Sequence, residues 1–136
     1  MNPQNVAKTA TCVLGAVGAV HIVALAGGIP SEYLGGGRYP DETAARIGEF
    51  GALVTVSVFG WMTAARAQWL SRPSPRVVRG FMWAMGGLFA LNTVGNLAAT
   101  TLTETLIFTP ITLALSVAGF YLARRPITVS MATPGA

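Results

Sequence analysis

Six polar side chains interrupt or border the apolar runs of this chain: His21, Arg38, Glu49, Asn92, Asn96 and Glu104. His21 and Glu49 would make a proton-sensitive pair, because an imidazole and a carboxylate can serve as acid and base toward one group that both can reach. Asn92 and Asn96 are four apart and share a face if the segment is helical. Thr109 and Thr112 add hydroxyl groups at a similar depth in the last apolar run. Arg46, three residues before Glu49, could pair with it on one helix. Arg38 could reach Glu49 or Glu104 from a loop.

Other chemistries find little support. The lone cysteine, Cys12, allows neither an internal disulfide nor a dithiol pair, which argues against a quinone-linked thiol oxidase. One histidine and one cysteine fall short of the three or four ligands of a zinc site, so neither a metal nor another cofactor is expected. A carboxylate-rich ion site built on Glu49 and Glu104 is a minor alternative. The run Gly35-Gly36-Gly37 lacks the strand before and helix after it that a phosphate-binding loop requires, and reads as a flexible connection.

The elements that must position these residues follow from where the charges are. The chain has 136 residues, 52% hydrophobic and 10% charged, whereas a soluble domain carries about 25% charged residues. Lys8, then Arg66, Arg72, Arg76 and Arg79, then Arg124 and Arg125 form three basic clusters. Glu32, Asp41, Glu42, Glu49 and Glu104 fall between them. Long apolar runs separate the two sets. This alternation predicts an all-α, four-transmembrane-helix bundle with spans at about 6–27, 46–66, 77–100 and 104–123 and with both termini cytoplasmic. Residues 1–123 form one membrane domain, and 124–136 form a flexible cytoplasmic tail. The first apolar run is longer than the 7–15 residues of a signal-peptide core, so it is read as retained. Strands are excluded, because four short segments cannot close a barrel in lipid. The net charge of +4 is the expected positive-inside excess, and no nucleic-acid partner is implied. Asp41 or Glu42 is placed to start the second helix. Pairs of small residues four apart, such as Gly15/Ala19 and Gly95/Ala99, predict close helix approach in a tight bundle with little internal cavity. Pro110 lies inside the fourth span, where it can kink a helix or be tolerated near its start.

Depth organises the polar residues. His21, Glu49, Asn92, Asn96 and Glu104 all belong to the outer half of the bundle, and the inner half is nearly free of such groups. One reading is a polar pocket open to the outside. The other is an interhelical hydrogen-bond network that fixes helix order, each bond worth about 0.6 to 2 kcal/mol. The sequence favours the second.

Two blocks carry a resemblance. One is His21, Gly27-Gly28-Ile29-Pro30, Glu32-Tyr33-Leu34 and Gly36-Gly37-Arg38, with Glu49 opening the next span. The other is Leu91-Asn92-Thr93-Val94-Gly95-Asn96-Leu97, Thr103-Glu104 and Phe108-Thr109-Pro110-Ile111-Thr112. In these the chain resembles a family of small bacterial four-span integral membrane proteins with no known activity. A tryptophan often precedes Gly-Gly-Arg in that family, where this chain has Gly35. The resemblance implies a four-helix membrane protein and links the loop to the outer-half polar residues. It brings no activity.

The function expected is that of a small multi-pass protein of the plasma membrane, a structural or interaction component rather than an enzyme. Its partners would be the lipid bilayer and either a second copy or another membrane protein. The alternative is a transporter or small-ligand binder using His21, Glu49, Asn92 and Asn96. A membrane enzyme acting on a lipid or isoprenoid would need His21 and Glu49 on the same side of the bundle.

Overall fold

The fold is given by a computed structural model that describes residues 1–71, 73–99, 102 and 104–126, with Glu104 described by its backbone alone. Helix α1 spans Pro3–Leu25, α2 Glu42–Arg66, α3 Pro75–Leu97 and α4 Thr109–Arg124. The described residues contain no strand. α1, α2, α3 and the segment Thr105–Arg124 are each long and apolar enough to cross a membrane. The expected tail lies outside the described residues from 127 onward, as do Arg72 and most of the turn at 100–103.

Local chemistry sets the helix ends. α1 begins with Pro3, whose missing N–H costs nothing there, and Asn2 caps it by accepting from Gln4 N at 2.9 Å. The helix therefore starts outside the apolar run that marked the span. At its other end Gly27 adopts φ +81°, and the N–H groups of Gly27 and Gly28 return to Ala24 O and Val23 O. This pattern satisfies the last carbonyls of the helix. α2 ends the same way, with Gln68 at φ +66° in the position a glycine usually takes, and Gln68 N and Trp69 N bonded to Ala65 O and Ala64 O. Asp41 caps the start of α2, accepting from Ala44 N at 2.8 Å.

The chain enters α4 through a π turn, Glu104–Phe108. Pro110, in the first turn of α4, has no N–H and would crowd the carbonyl four residues back. The wider π turn ahead of it gives that carbonyl room. Pro110 thus lies inside the fourth span as expected, in the first turn of α4 and directly after the π turn.

α1 associates most closely with α2, and α3 with α4, so the bundle is two antiparallel hairpins. The hairpins meet around Leu14, Val17, Val56, Phe59, Met85, Phe89 and Leu115. Phe59 contacts Phe81 edge-on at 6.3 Å and Phe89 at 6.0 Å between ring centroids. A second apolar cluster, including Ala7, Met62, Val78, Met82 and Leu122, fills the bundle at the end that carries the basic residues.

The close helix approaches are not the ones the small-residue spacing suggested. A Cβ on Gly119 would fall 2.6 Å from Gly86 N, so α3 and α4 cross backbone to backbone at that pair. Gly18 lies against Val56 and Leu53, and Gly60 against Leu14. Gly15 and Gly95 face open space, and Ala19 is exposed. The predicted pairs Gly15/Ala19 and Gly95/Ala99 are therefore not the contacts that close this chain's own bundle.

Candidate functional site: the polar contacts between helices

His21 lies one turn from the end of α1 and Glu49 two turns into α2. Their side chains meet, with His21 Nδ1 2.6 Å from Glu49 Oε2. The Glu49 side chain is 8% exposed and that of His21 18%. One proton lies between the two atoms, and a carboxylate can only accept it, so an ionised Glu49 takes the bond from the ring N–H. With Nδ1 committed to Glu49, the other ring nitrogen, Nε2, is the atom through which the pair could give or take a proton.

The loop before α2 is a defined structure and not the flexible connection expected. Ser31–Gly37 forms a 3₁₀ segment interrupted at Leu34, and Gly35, Gly36 and Gly37 take φ +56°, +71° and +71°. These left-handed conformations are costly for a residue with a Cβ. The Tyr39 ring occupies the space where a Cβ on Gly35 or on Gly48 would project. It holds the loop against the turn of α2 that carries Glu49. Arg38 donates from Nη2 to Gly95 O at 2.8 Å, so the loop also reaches the last turn of α3. A cation is favoured there by the carbonyls left open at a helix C-terminus.

That contact replaces the expected approach of Arg38 to Glu49. The side chain of Glu104 lies outside the described residues. Arg46 also goes elsewhere, bonding to Glu42 one turn back at 2.7 Å on the exposed face of α2. Glu49 finds its partner on the neighbouring helix.

The asparagines separate. Asn96 is half-buried and donates from Nδ2 to Thr112 Oγ1 at 3.3 Å. Asn92 is exposed and points away from that contact. Thr93 takes the inner position instead: its hydroxyl is 3.0 Å from Thr112 Oγ1 and 2.7 Å from Phe89 O. Thr105 donates to Asn96 O at 3.1 Å. The reading of depth alone missed Thr93, although its spacing of three from Asn96 places the two on one helix face.

The half of the bundle expected to be nearly free of polar groups holds some as well. Thr11 Oγ1 and Thr63 Oγ1 lie 3.0 Å apart between α1 and α2. Ser116 donates to Gly86 O at 2.8 Å, beside the Gly86–Gly119 crossing. Arg79 donates from Nε to Ala123 O at 2.9 Å, and the buried Arg66 reaches Pro126 O at 3.0 Å. Two arginines that read as topology determinants thus also neutralise the C-terminal end of α4.

Sorted by helix, most of these contacts stay within a hairpin, whereas Arg38 to Gly95 O and Arg66 to Pro126 O tie the two hairpins together. His21–Glu49 and Thr11–Thr63 join α1 to α2. Thr93–Thr112, Asn96–Thr112 and Ser116–Gly86 join α3 to α4. Among the described residues no three His, Cys, Asp or Glu side chains come together as a metal site. The chain matches no family model, no curated protein and no solved structure.

Proposed function

We propose that this is a multi-pass protein of the plasma membrane, with both termini cytoplasmic, that acts as a structural or interaction component. The observation that carries the reading is that His21 and Glu49 within the α1/α2 hairpin, and Thr93, Asn96 and Thr112 within the α3/α4 hairpin, are engaged with one another. Lipid offers no hydrophobic drive to bring helices together, so such bonds and close backbone contacts supply the cohesion. The charge distribution supports the orientation: Lys8, Arg66, Arg76, Arg79, Arg124 and Arg125 gather at one end, and Glu32, Asp41, Glu42 and Glu49 lie toward the other. Gly15 and Ala19 face outward, where the helix of a second copy or of another membrane protein could approach closely. The same family resemblance that links the loop to the outer polar residues fits a shared structural role for them.

Crosslinking in the native membrane combined with native mass spectrometry of the full chain tests this. A defined homo-oligomer, or a complex of fixed stoichiometry, is the expected result. A strict monomer by both methods overturns it.

The partly open edge of His21 beside Glu49 favours one second reading, a small-ligand binder or transporter. It requires that Glu49→Gln abolish binding of the ligand while the helices remain folded. If that variant binds as well as the parent chain, this reading fails.

A further inference from the structure

The surface between α1 and α4 carries an open, mainly apolar groove of ≈ 810 Å³. Asn5, Thr9 and Val13 line one wall, and Ala114, Ala118 and Tyr121 the other. The walls are low because α4 presents alanines there. Along α1 the groove runs from Asn2 to Val13, about 16 Å at 1.5 Å per residue. Half of a typical hydrocarbon core is about 15 Å. The groove therefore has the length of one leaflet, and it starts at the end of the bundle where the basic residues lie.

A second depression of ≈ 600 Å³ adjoins it across a ridge formed by Val117 and Tyr121, and is lined at its polar end by Arg124 and Arg125. Each guanidinium lies over an aromatic ring: Arg125 is 5.0 Å from the Tyr121 centroid and Arg124 5.4 Å from that of Trp83. The rings leave the guanidinium N–H groups unconsumed, because a cation over an aromatic face is held by the ring's charge distribution and not by hydrogen bonds, and such groups can grip a phosphate. Arg66 and Arg79 are occupied with α4 carbonyls. Arg124 and Arg125 are both exposed, and no acidic residue is described at this end.

We infer that the α1/α4 groove is a binding site for one anionic membrane phospholipid, with an acyl chain along the groove and the phosphate on Arg124 and Arg125. Charge selects an anionic headgroup, and the leaflet-long apolar channel selects a membrane lipid over a soluble phosphate. The inference rests on the chain spanning a bilayer. It does not depend on which compartment the basic end faces, or on whether the protein forms oligomers.

Delipidated full-length protein in detergent, titrated with phosphatidylglycerol or with phosphatidylcholine of the same acyl chains and followed by native mass spectrometry, provides the test. One phosphatidylglycerol per chain should be retained, about tenfold more tightly than phosphatidylcholine. The double variant Arg124→Gln/Arg125→Gln should erase that preference, weakening phosphatidylglycerol about tenfold more than phosphatidylcholine. Ala114→Phe, a substitution at an exposed position, should weaken both lipids, with circular dichroism confirming that the helices persist. Equal binding of both lipids by the parent chain would overturn the inference, as would an unchanged preference in the arginine variant. Occupation of the groove by a second copy, or by the chain's own residues beyond 126, detected by crosslinking from Ala114→Cys in a Cys12→Ala background, would overturn it too. The lipid titrations do not bear on the oligomeric state, which the proposed function predicts separately, and the crosslinking reports on a second copy only at this groove.

Discussion

His21 Nδ1 and Glu49 Oε2 lie 2.6 Å apart, joining the end of α1 to the start of α2. The loop between those helices has glycines in left-handed conformations and lays Tyr39 against Gly48, the residue before Glu49. An imidazole and a carboxylate within a bilayer are costly when alone and tolerable when paired. Their pairing makes the 16-residue connection from Ala26 to Asp41 part of the bundle.

The Gly86–Gly119 crossing should be the least forgiving point of the α3/α4 hairpin. Gly119→Ala places a methyl against backbone and should cost about 1–3 kcal/mol. Gly15→Ala, at a position facing open space, should change stability by no more than about 0.5 kcal/mol. Unfolding in mixed micelles, followed by helicity, measures both. Equal effects would mean that the two helices do not cross at Gly86 and Gly119.

The loop should depend on its glycines and on Tyr39 together. Gly35→Ala forces an alanine into φ near +56°, at a cost of about 1–2 kcal/mol, and pushes the Tyr39 ring aside. Hydrogen exchange across 31–41 should speed up in this variant and equally in Gly48→Ala, which displaces the same ring from the other side. Exchange that changes in one variant and not in the other would separate the ring from the loop's order.

Charge placement predicts which loop faces which compartment. In a Cys12→Ala background, Glu32→Cys should react with a membrane-impermeant maleimide on intact cells. Ser74→Cys should react only after permeabilisation. The reverse pattern would invert the topology.

Much of the fold was legible because the bilayer sorts residues by depth. The four apolar runs between charge clusters correspond to α1–α4, and Asp41 caps α2 as its position suggested. Depth says nothing about direction around a helix axis, and there the sequence reading was weakest. Asn92 and Thr93 are neighbours at nearly one depth, yet Thr93 turns inward and Asn92 outward. Gly15 and Gly18 divide in the same way, Gly18 against α2 and Gly15 in the open. The His21–Glu49 contact was legible as a pair at similar depth on consecutive helices. Arg38 was not, because its acceptor is a backbone carbonyl, which no residue type marks. The glycine triplet read as flexible because left-handed φ values and the Tyr39 ring are invisible in composition.

The central claim is that the polar side chains within the bundle hold helices together. A double-mutant cycle on His21 and Glu49 tests it most directly. Removing one member of a buried, hydrogen-bonded pair strands the other, so His21→Leu and Glu49→Leu should each destabilise the bundle by about 3 kcal/mol. The double variant loses one contact and not two, so it should be less destabilised than the sum of the two single variants by a coupling of about 0.6 to 2 kcal/mol, and it should remain less stable than the parent chain because no bond then joins α1 to α2 at this depth. A double variant as unstable as the sum of the two single ones would contradict the account.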